Sequence, residues 1–143
     1  MSGIYTLASG PPITPFWNGA APSGSGESSN DRPNLVGKAN DGPKRWDAWF
    51  DTAAFVAAPR GTFGNAGRNT AIGPGIVNWD FSTLKDFHFT ESKFLQFRFE
   101  AFNFSNHPNW NYPATDARTP ATFGKVTTAR TMREMQFGLK YVF

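Results

Sequence analysis

Three stretches of the chain alternate apolar and polar side chains with a period of two. In 77–89 the odd positions read Val77, Trp79, Phe81, Thr83, Lys85, Phe87 and Phe89, and the even ones Asn78, Asp80, Ser82, Leu84, Asp86 and His88. After a short turn at 90–93, the pattern returns in 94–104, with Leu95, Phe97, Phe99 and Ala101 set against Gln96, Arg98 and Glu100. It recurs at the end of the chain, where Met135, Phe137, Leu139, Tyr141 and Phe143 alternate with Gln136, Gly138, Lys140 and Val142. Successive side chains of a strand point to opposite faces, so each stretch predicts a strand with one apolar face. A shorter alternation at 3–7, with Tyr5 and Leu7 opposite Ile4 and Thr6, predicts a fourth.

Between these strands the chain reads as loop. Ser9-Gly-Pro-Pro breaks the first strand, and Arg32-Pro-Asn-Leu, Gly42-Pro and Ala71-Ile-Gly-Pro-Gly are further turn signals. Residues 21–30 (APSGSGESSN) read as mobile and solvated. Trp49, Phe50, Ala53, Ala54 and Ala57 fall at helical spacing, which predicts a helical turn or two within 46–58. Residues 124–128 are expected to add a few extended positions. The chain therefore divides near residue 75. Residues 1–75 hold one short strand and a long extracellular-type loop, and 76–143 hold the antiparallel strands.

Strands of 10 or more residues exceed the 5–6 usual in soluble sheets and match the roughly 9–11 tilted residues that cross a bilayer. An apolar face opposite a face of Gln, Arg, Glu, Asp and Asn suits a barrel wall between lipid and a wet lumen. It also suits an antiparallel sheet packed on a soluble core, which periodicity alone does not separate from it. Strand length, the Phe and Trp bias and the alternation of short and long connections favour the membrane reading. The fold class expected is all-β, with antiparallel strands of a transmembrane-type β-barrel, incomplete as a closed barrel. In that reading the first strand runs outward, and the last runs inward to a periplasmic C-terminus. The residues expected to face lipid or a partner are Trp79, Phe81, Phe87, Phe89, Leu95, Phe97, Phe99, Phe137 and Leu139. Lys85 shares their face, and a Lys there costs roughly 2–4 kcal/mol at mid-bilayer unless it snorkels.

Composition narrows the classes further. Phe occurs 15 times in 143 residues, and 11 of these lie in 76–143. Gly and Pro total 14 + 11 = 25, too many for a helical protein. There is no cysteine, which removes disulfides and Cys-ligated metals. No apolar run approaches the roughly 18 residues of a membrane helix. The net charge of +3 is spread along the chain without the clustering a nucleic-acid footprint needs. The start of the sequence has neither the basic nor the long apolar region of a signal peptide. His88 and His107 stand without partners at ligand spacing. The Gly-rich segment 61–67 lacks the strand, helix and Gly-Lys-Ser/Thr of a phosphate cradle. Trp46, Trp49, Trp110 and Tyr112 are loop aromatics, suited to an interfacial girdle or to packing. No catalytic, cofactor or metal site is expected, and no enzymatic activity.

Several segments together resemble a known family. They are Arg32-Pro-Asn-Leu-Val-Gly, Trp49-Phe50 with Ala53-Ala-Phe, Gly61-Thr-Phe-Gly-Asn-Ala-Gly-Arg-Asn69 and Gly73-Pro-Gly. They continue in Asn78-Trp-Asp, Leu95-Gln-Phe-Arg, Phe102-Asn-Phe-Ser-Asn-His-Pro108 and Arg133-Glu-Met-Gln-Phe-Gly-Leu-Lys. In order and spacing the chain resembles the C-terminal part of a TonB-dependent outer-membrane receptor, of the subgroup with a carboxypeptidase-regulatory-like domain. The resemblance implies an outer-membrane location in Gram-negative bacteria, and transport or surface binding without catalysis. It implies a parent barrel of about 22 strands, with a plug and a TonB box that nothing here matches. Gln136, Gly138, Tyr141 and Phe143 have the spacing of the family's terminal assembly signal. The implied partners are outer-membrane lipid and the remainder of a barrel, with the transported substrate undetermined and no nucleic acid. The alternative is a stand-alone receptor-derived fragment whose open β edges pair copy to copy into a filament, tube or oligomer, an extracellular assembly.

Overall fold

The computed structural model describes residues 1–19, 22–25 and 31–143. Of the stretch 21–30 read as mobile, 21 and 26–30 lie outside the described residues. The strands in chain order are β1 (Ser2–Ala8), β2 (Pro12–Ile13), β3 (Asn34–Leu35), β4 (Phe55–Val56), β5 (Ala71–Ile72), β6 (Ile76–His88), β7 (Phe94–Phe102) and β8 (Glu134–Val142). Two short 3-10 turns, Ala39–Asp41 and Thr52–Ala54, complete the regular structure among the described residues. No helix among them is long and apolar enough to cross a membrane, which leaves strands as the elements of that length.

The chain forms two compact units. The first comprises Met1–Ser9, Gly75–Asn109 and Ala129–Phe143. It is one open sheet of order β1-β6-β7-β8 with every neighbour antiparallel. The register makes one face of the four separate alternations. Tyr5 opposes Trp79 and Leu7 opposes Val77, Leu95 lies between Phe87 and Tyr141, and Phe99 lies between Thr83 and Phe137. Directly opposed residues share a face, so every apolar half-pattern falls on the same side. An aromatic ladder runs along it: Phe99 and Phe137 rings lie 5.0 Å apart, Phe97 and Phe137 6.2 Å, and Phe81 and Phe99 6.3 Å. β6 spans 13 residues; β7 and β8 span 9 each, shorter than the 10 or more expected and still longer than the roughly 5–6 usual in soluble sheets.

Two edges of the expectation shift. The strand expected over 94–104 stops at Phe102, because Asn103 takes a left-handed conformation (φ 48°) that ends the ladder. The ring of Phe104 still reaches back to Trp79, at 5.1 Å. β6 ends at His88, so Phe89 belongs to the turn that its own N–H closes on the carbonyl of Lys93.

The second unit comprises Gly10–Pro74 and Trp110–Thr128, drawn from the two long connections. Its core is Ile13, Ala39, Phe50, Ala54, Phe55, Ala66, Ala71 and Phe123, flanked by Leu35, Trp49 and Ala117. Phe50, Phe55 and Phe123 meet edge to face, with centroids 5.1–5.8 Å apart, the arrangement favoured by the ring quadrupoles. The helix expected in 46–58 reduces to the 3-10 turn at Thr52–Ala54. The reason lies in the backbone donors of this stretch. Trp49 N–H goes to the carbonyl of Gly124, Asp51 N–H to Ala39, and Arg45 and Ala48 exchange bonds with each other. Amides committed to distant carbonyls cannot make i to i−4 bonds. Residues 124–128 form no strand; the amides of Lys125 and Val126 are held by the carbonyls of Thr122 and Trp46.

Glycines permit the tightest approaches in this unit. A Cβ at Gly10 would overlap the carbonyl of Gly73, and one at Gly64 would overlap the carbonyl oxygens of Arg32 and Pro33. The motif pieces Ser9-Gly-Pro-Pro, Gly73-Pro-Gly, Arg32-Pro-Asn and Gly61-Thr-Phe-Gly are therefore pairs of touching backbones.

Candidate functional site

The sheet offers two faces of opposite chemistry, and strand register decides which side chains lie on each. Trp79, Phe81 and Phe87 of β6, Leu95, Phe97 and Phe99 of β7, and Phe137 and Leu139 of β8 lie on the apolar face. Of the nine residues expected there, Phe89 alone lies beyond the strand ends, with its ring 6.5 Å from that of Tyr141. Lys85 sits on the same face opposite Phe97, three residues from the end of β6.

The other face carries polar side chains that pair across strands at directly opposed positions and, for Arg98 and Glu100, along β7. Ser2 and Ser82 hydroxyls lie 2.7 Å apart, and Gln96 Nε2 donates to Asp86 Oδ1 at 2.9 Å. Arg98 Nη2 pairs with Glu100 Oε1 at 2.7 Å, and Gln136 Nε2 donates to the other Glu100 oxygen. These pairs satisfy one another within the sheet and need no solvent-free environment, as a water-lined wall requires.

A cavity of about 610 Å³ opens on this polar face at the end where the long connections leave the strands. Asn78, Asp80, Phe102, Asn109, Arg130 and Glu134 contribute to its lining. Two asparagines fix its wall. Asn109 Oδ1 accepts from Val77 N–H and its Nδ2 donates to Val77 O, each at 2.9 Å, so the side chain imitates a neighbouring strand. Asn103 closes the turn through His107, accepting its N–H at 3.1 Å and donating to its carbonyl at 2.9 Å. The N–H of Asn103 donates to Asp80 Oδ1 at 3.0 Å, where Asn78 Nδ2 also donates at 2.8 Å. The sequence shows this stretch only as a strand breaker, and the asparagine-for-backbone exchange leaves no periodic signal. His107 serves through its backbone, while the ring of His88 lies 5.3 Å from that of Phe94. Among the described residues no three His, Cys, Asp or Glu side chains are grouped to hold a metal ion.

The four residues with terminal-signal spacing all lie on or just beyond the edge strand β8. Gln136 and Gly138 occupy the polar face, and Tyr141 the apolar one. Phe143 follows the strand and stacks on Tyr141 at 6.0 Å. A Cβ at Gly138 would meet that of Arg98 at an ordinary 3.6 Å, so packing inside this sheet does not demand glycine there. Of the loop aromatics, Trp49 packs on the second unit's core and donates to Ile72 O at 2.9 Å. Trp46 and Tyr112 are exposed.

The second unit is tied together by Asp116. Its Oδ1 accepts the N–H groups of Arg118 (3.0 Å) and Asn18 (3.2 Å), and its Oδ2 the Thr119 hydroxyl (3.1 Å). Partial burial opposes its charge. The hydrogen bonds and the Arg118 guanidinium outweigh that and hold the carboxyl below the usual aspartate range.

Comparison with known proteins gives one family. No curated protein and no solved structure matches the chain. The outer membrane beta barrel domain family matches residues 1–136, nearly the whole of the 143. With its long antiparallel strands, single apolar face and unclosed sheet, this chain belongs to the outer membrane β-barrel domain family.

Proposed function

We propose that the chain is the C-terminal wall segment of a TonB-dependent receptor-type barrel, with transport or surface binding as the function of the whole and no catalytic step in this part. The observation that carries this reading is the up-and-down order β1-β6-β7-β8, in which one short and two long connections alternate as outer-membrane barrels require. The ordered motif segments, from Arg32-Pro-Asn-Leu to Arg133-Glu-Met-Gln, add the receptor subgroup by resemblance. In this reading Trp79, Phe81, Phe87, Phe89, Leu95, Phe97, Phe99, Phe137 and Leu139 meet lipid, and Lys85 snorkels toward the nearby turn. Residues 1–75 supply the first strand and an extracellular loop, and 76–143 the remaining wall. Gln136, Gly138, Tyr141 and Phe143 present an edge that an insertion machine reads by adding a strand to it. The partners are then outer-membrane lipid and the rest of the barrel.

The test is mass spectrometry of isolated outer membranes. Peptides of this sequence are expected in a heat-modifiable polypeptide several times longer than 143 residues. That polypeptide is also expected to carry a plug and a TonB-contacting segment. Their recovery in a polypeptide without those parts would refute the receptor assignment while leaving the barrel family intact. Recovery in regular polymers of the short chain would favour the copy-to-copy assembly instead.

A further inference from the structure

The second unit carries a concave site that neither the family nor the barrel reading uses. Thr14, Phe16, Arg32, Arg68 and Asn69 line a cavity of about 630 Å³. Among the described residues no acidic side chain lines it. Arg32 is half-buried and is held in place by one bond, from Nη1 to the carbonyl of Ala66 at 3.2 Å. Among the described residues its other N–H groups have no hydrogen-bond partner. Arg68 is exposed and makes no hydrogen bond among the described residues. The ion pairs among the described residues are Arg45–Asp47 and Arg98–Glu100, so neither cavity arginine is neutralised by one. The carboxylate adjacent in sequence, Asp31, is occupied by the N–H and hydroxyl of Ser23 at 2.9 and 3.1 Å.

The polar groups around the cavity are fixed. Asn69 is left-handed (φ 59°), and its N–H donates to Thr14 Oγ1 at 2.9 Å. The Thr14 hydroxyl returns a bond to Asn69 Oδ1 at 3.4 Å, and among the described residues the Asn69 amide nitrogen donates to no partner. The site thus combines two guanidinium groups without an ion-pair partner among the described residues, an amide donor and the Phe16 ring. Guanidinium forks match planar or tetrahedral oxyanions, and their charge is strengthened where water is partly excluded.

We propose that this cavity binds a small oxyanion, a phosphate or carboxylate, through Arg32 and Arg68. Arg32 acts as the anchored fork and Arg68 closes over the anion from the exposed side. The Asn69 amide supplies a third donor, and Phe16 offers an apolar surface to whatever carries the anion.

The probe is inorganic phosphate, titrated into the full chain folded in detergent at constant ionic strength made up with chloride. Binding is followed by calorimetry and by the arginine Nε–Hε resonances. Saturable binding is expected, with shifts confined to the Arg32 and Arg68 signals. Arg68→Ala is expected to weaken it about tenfold, the loss of one charge-assisted pair. Arg68→Lys should weaken it less. Arg60→Ala, at an exposed arginine that does not line the cavity, should leave it within about twofold. Arg68 is exposed and makes no hydrogen bond among the described residues, so its variants are expected to fold, and retention of the native spectrum checks it. Absence of saturation at tens of millimolar phosphate would overturn the proposal, and so would equal weakening by Arg60→Ala. Displacement of phosphate by short-chain phosphatidylglycerol would assign the oxyanion to a lipid headgroup, and indifference to that lipid to a soluble ligand.

Discussion

The two units use the same aromatic vocabulary for opposite ends. In the second unit Phe50 is 1% exposed, enclosed by Phe55 and Phe123, and the core is complete within the chain. In the sheet unit Phe137 and Leu139 are each 70% exposed, and the apolar face has nothing of this unit's own folded over it. A hydrophobic side chain is stabilised by leaving water, and it can do so against its own chain or against another medium. The second unit takes the first course; in the proposed function the sheet takes the other, with lipid as its covering medium. Phenylalanine content alone is therefore silent on solvent. Whether the rings face one another or share one side of an open sheet decides it.

The sharpest way to break the comparison is to empty one unit and leave the other. Phe50→Ala removes the central ring of the edge-to-face triad and is expected to cost about 3–5 kcal/mol. Limited proteolysis should then cut within 10–74 and 110–128, while the far-ultraviolet signal of the long strands persists. Cleavage no faster than in the parent chain would show that the second unit does not depend on this core. The converse is Phe97→Lys, which puts a second charge on the apolar face directly opposite Lys85. In lipid this is expected to cost roughly 2–4 kcal/mol. Protease resistance of the second unit should be unaffected. Equal urea midpoints for Phe97→Lys and the parent in bilayers would mean that this face does not meet lipid.

The same contrast explains what could be read in advance. The apolar face was legible because period two survives any pairing partner: once β6, β7 and β8 align in register, Trp79 through Leu139 must share a side. Errors arose where one residue's backbone conformation ended a pattern, as at Asn103 and at the turn containing Phe89. The second unit was illegible because its core joins Phe50 and Phe55 to Phe123, in a different connection of the chain, with no period to link them. Its apparent helical spacing in 46–58 was a coincidence of Trp, Phe and Ala placement, overridden by amides bonded to Gly124 and Ala39. The cavity wall is illegible in the sequence for a related reason. Asparagines in a loop register as breakers, whereas here Asn109 and Asn103 stand in for missing strand and turn bonds.

That substitution of side chain for backbone is itself open to test. Asn109 is 5% exposed and holds both polar groups of Val77. Asn109→Ala leaves them unpaired, for an expected loss of roughly 1–3 kcal/mol. The Val77 amide should exchange with solvent much faster, while amides at the 90–93 turn keep their parent rates. Unchanged protection at Val77 would mean that the start of β6 is held by its pairing with β1 alone.

The smallest expected effect separates the units by pH. Asp116 joins the segment at 16–18 to that at 115–119, both in the second unit, and its carboxyl is held below the usual aspartate range. A carboxylate with a lowered folded pKa favours the folded state while it is ionised. Its contribution is therefore complete above the unfolded value, about pH 4. It is lost as pH falls from there through the folded value. Protease resistance of the second unit should accordingly weaken below about pH 4, and Asp116→Asn should flatten that dependence. The effect is small because the carboxyl is only half-buried, where water still screens much of the gain. Asp116 lies outside the sheet unit, so Asp116→Asn should leave the stability of the long strands in lipid as it is in the parent. A parent-like pH slope in Asp116→Asn would place the acid sensitivity of this unit on another group and remove Asp116 as the tie between its two connections.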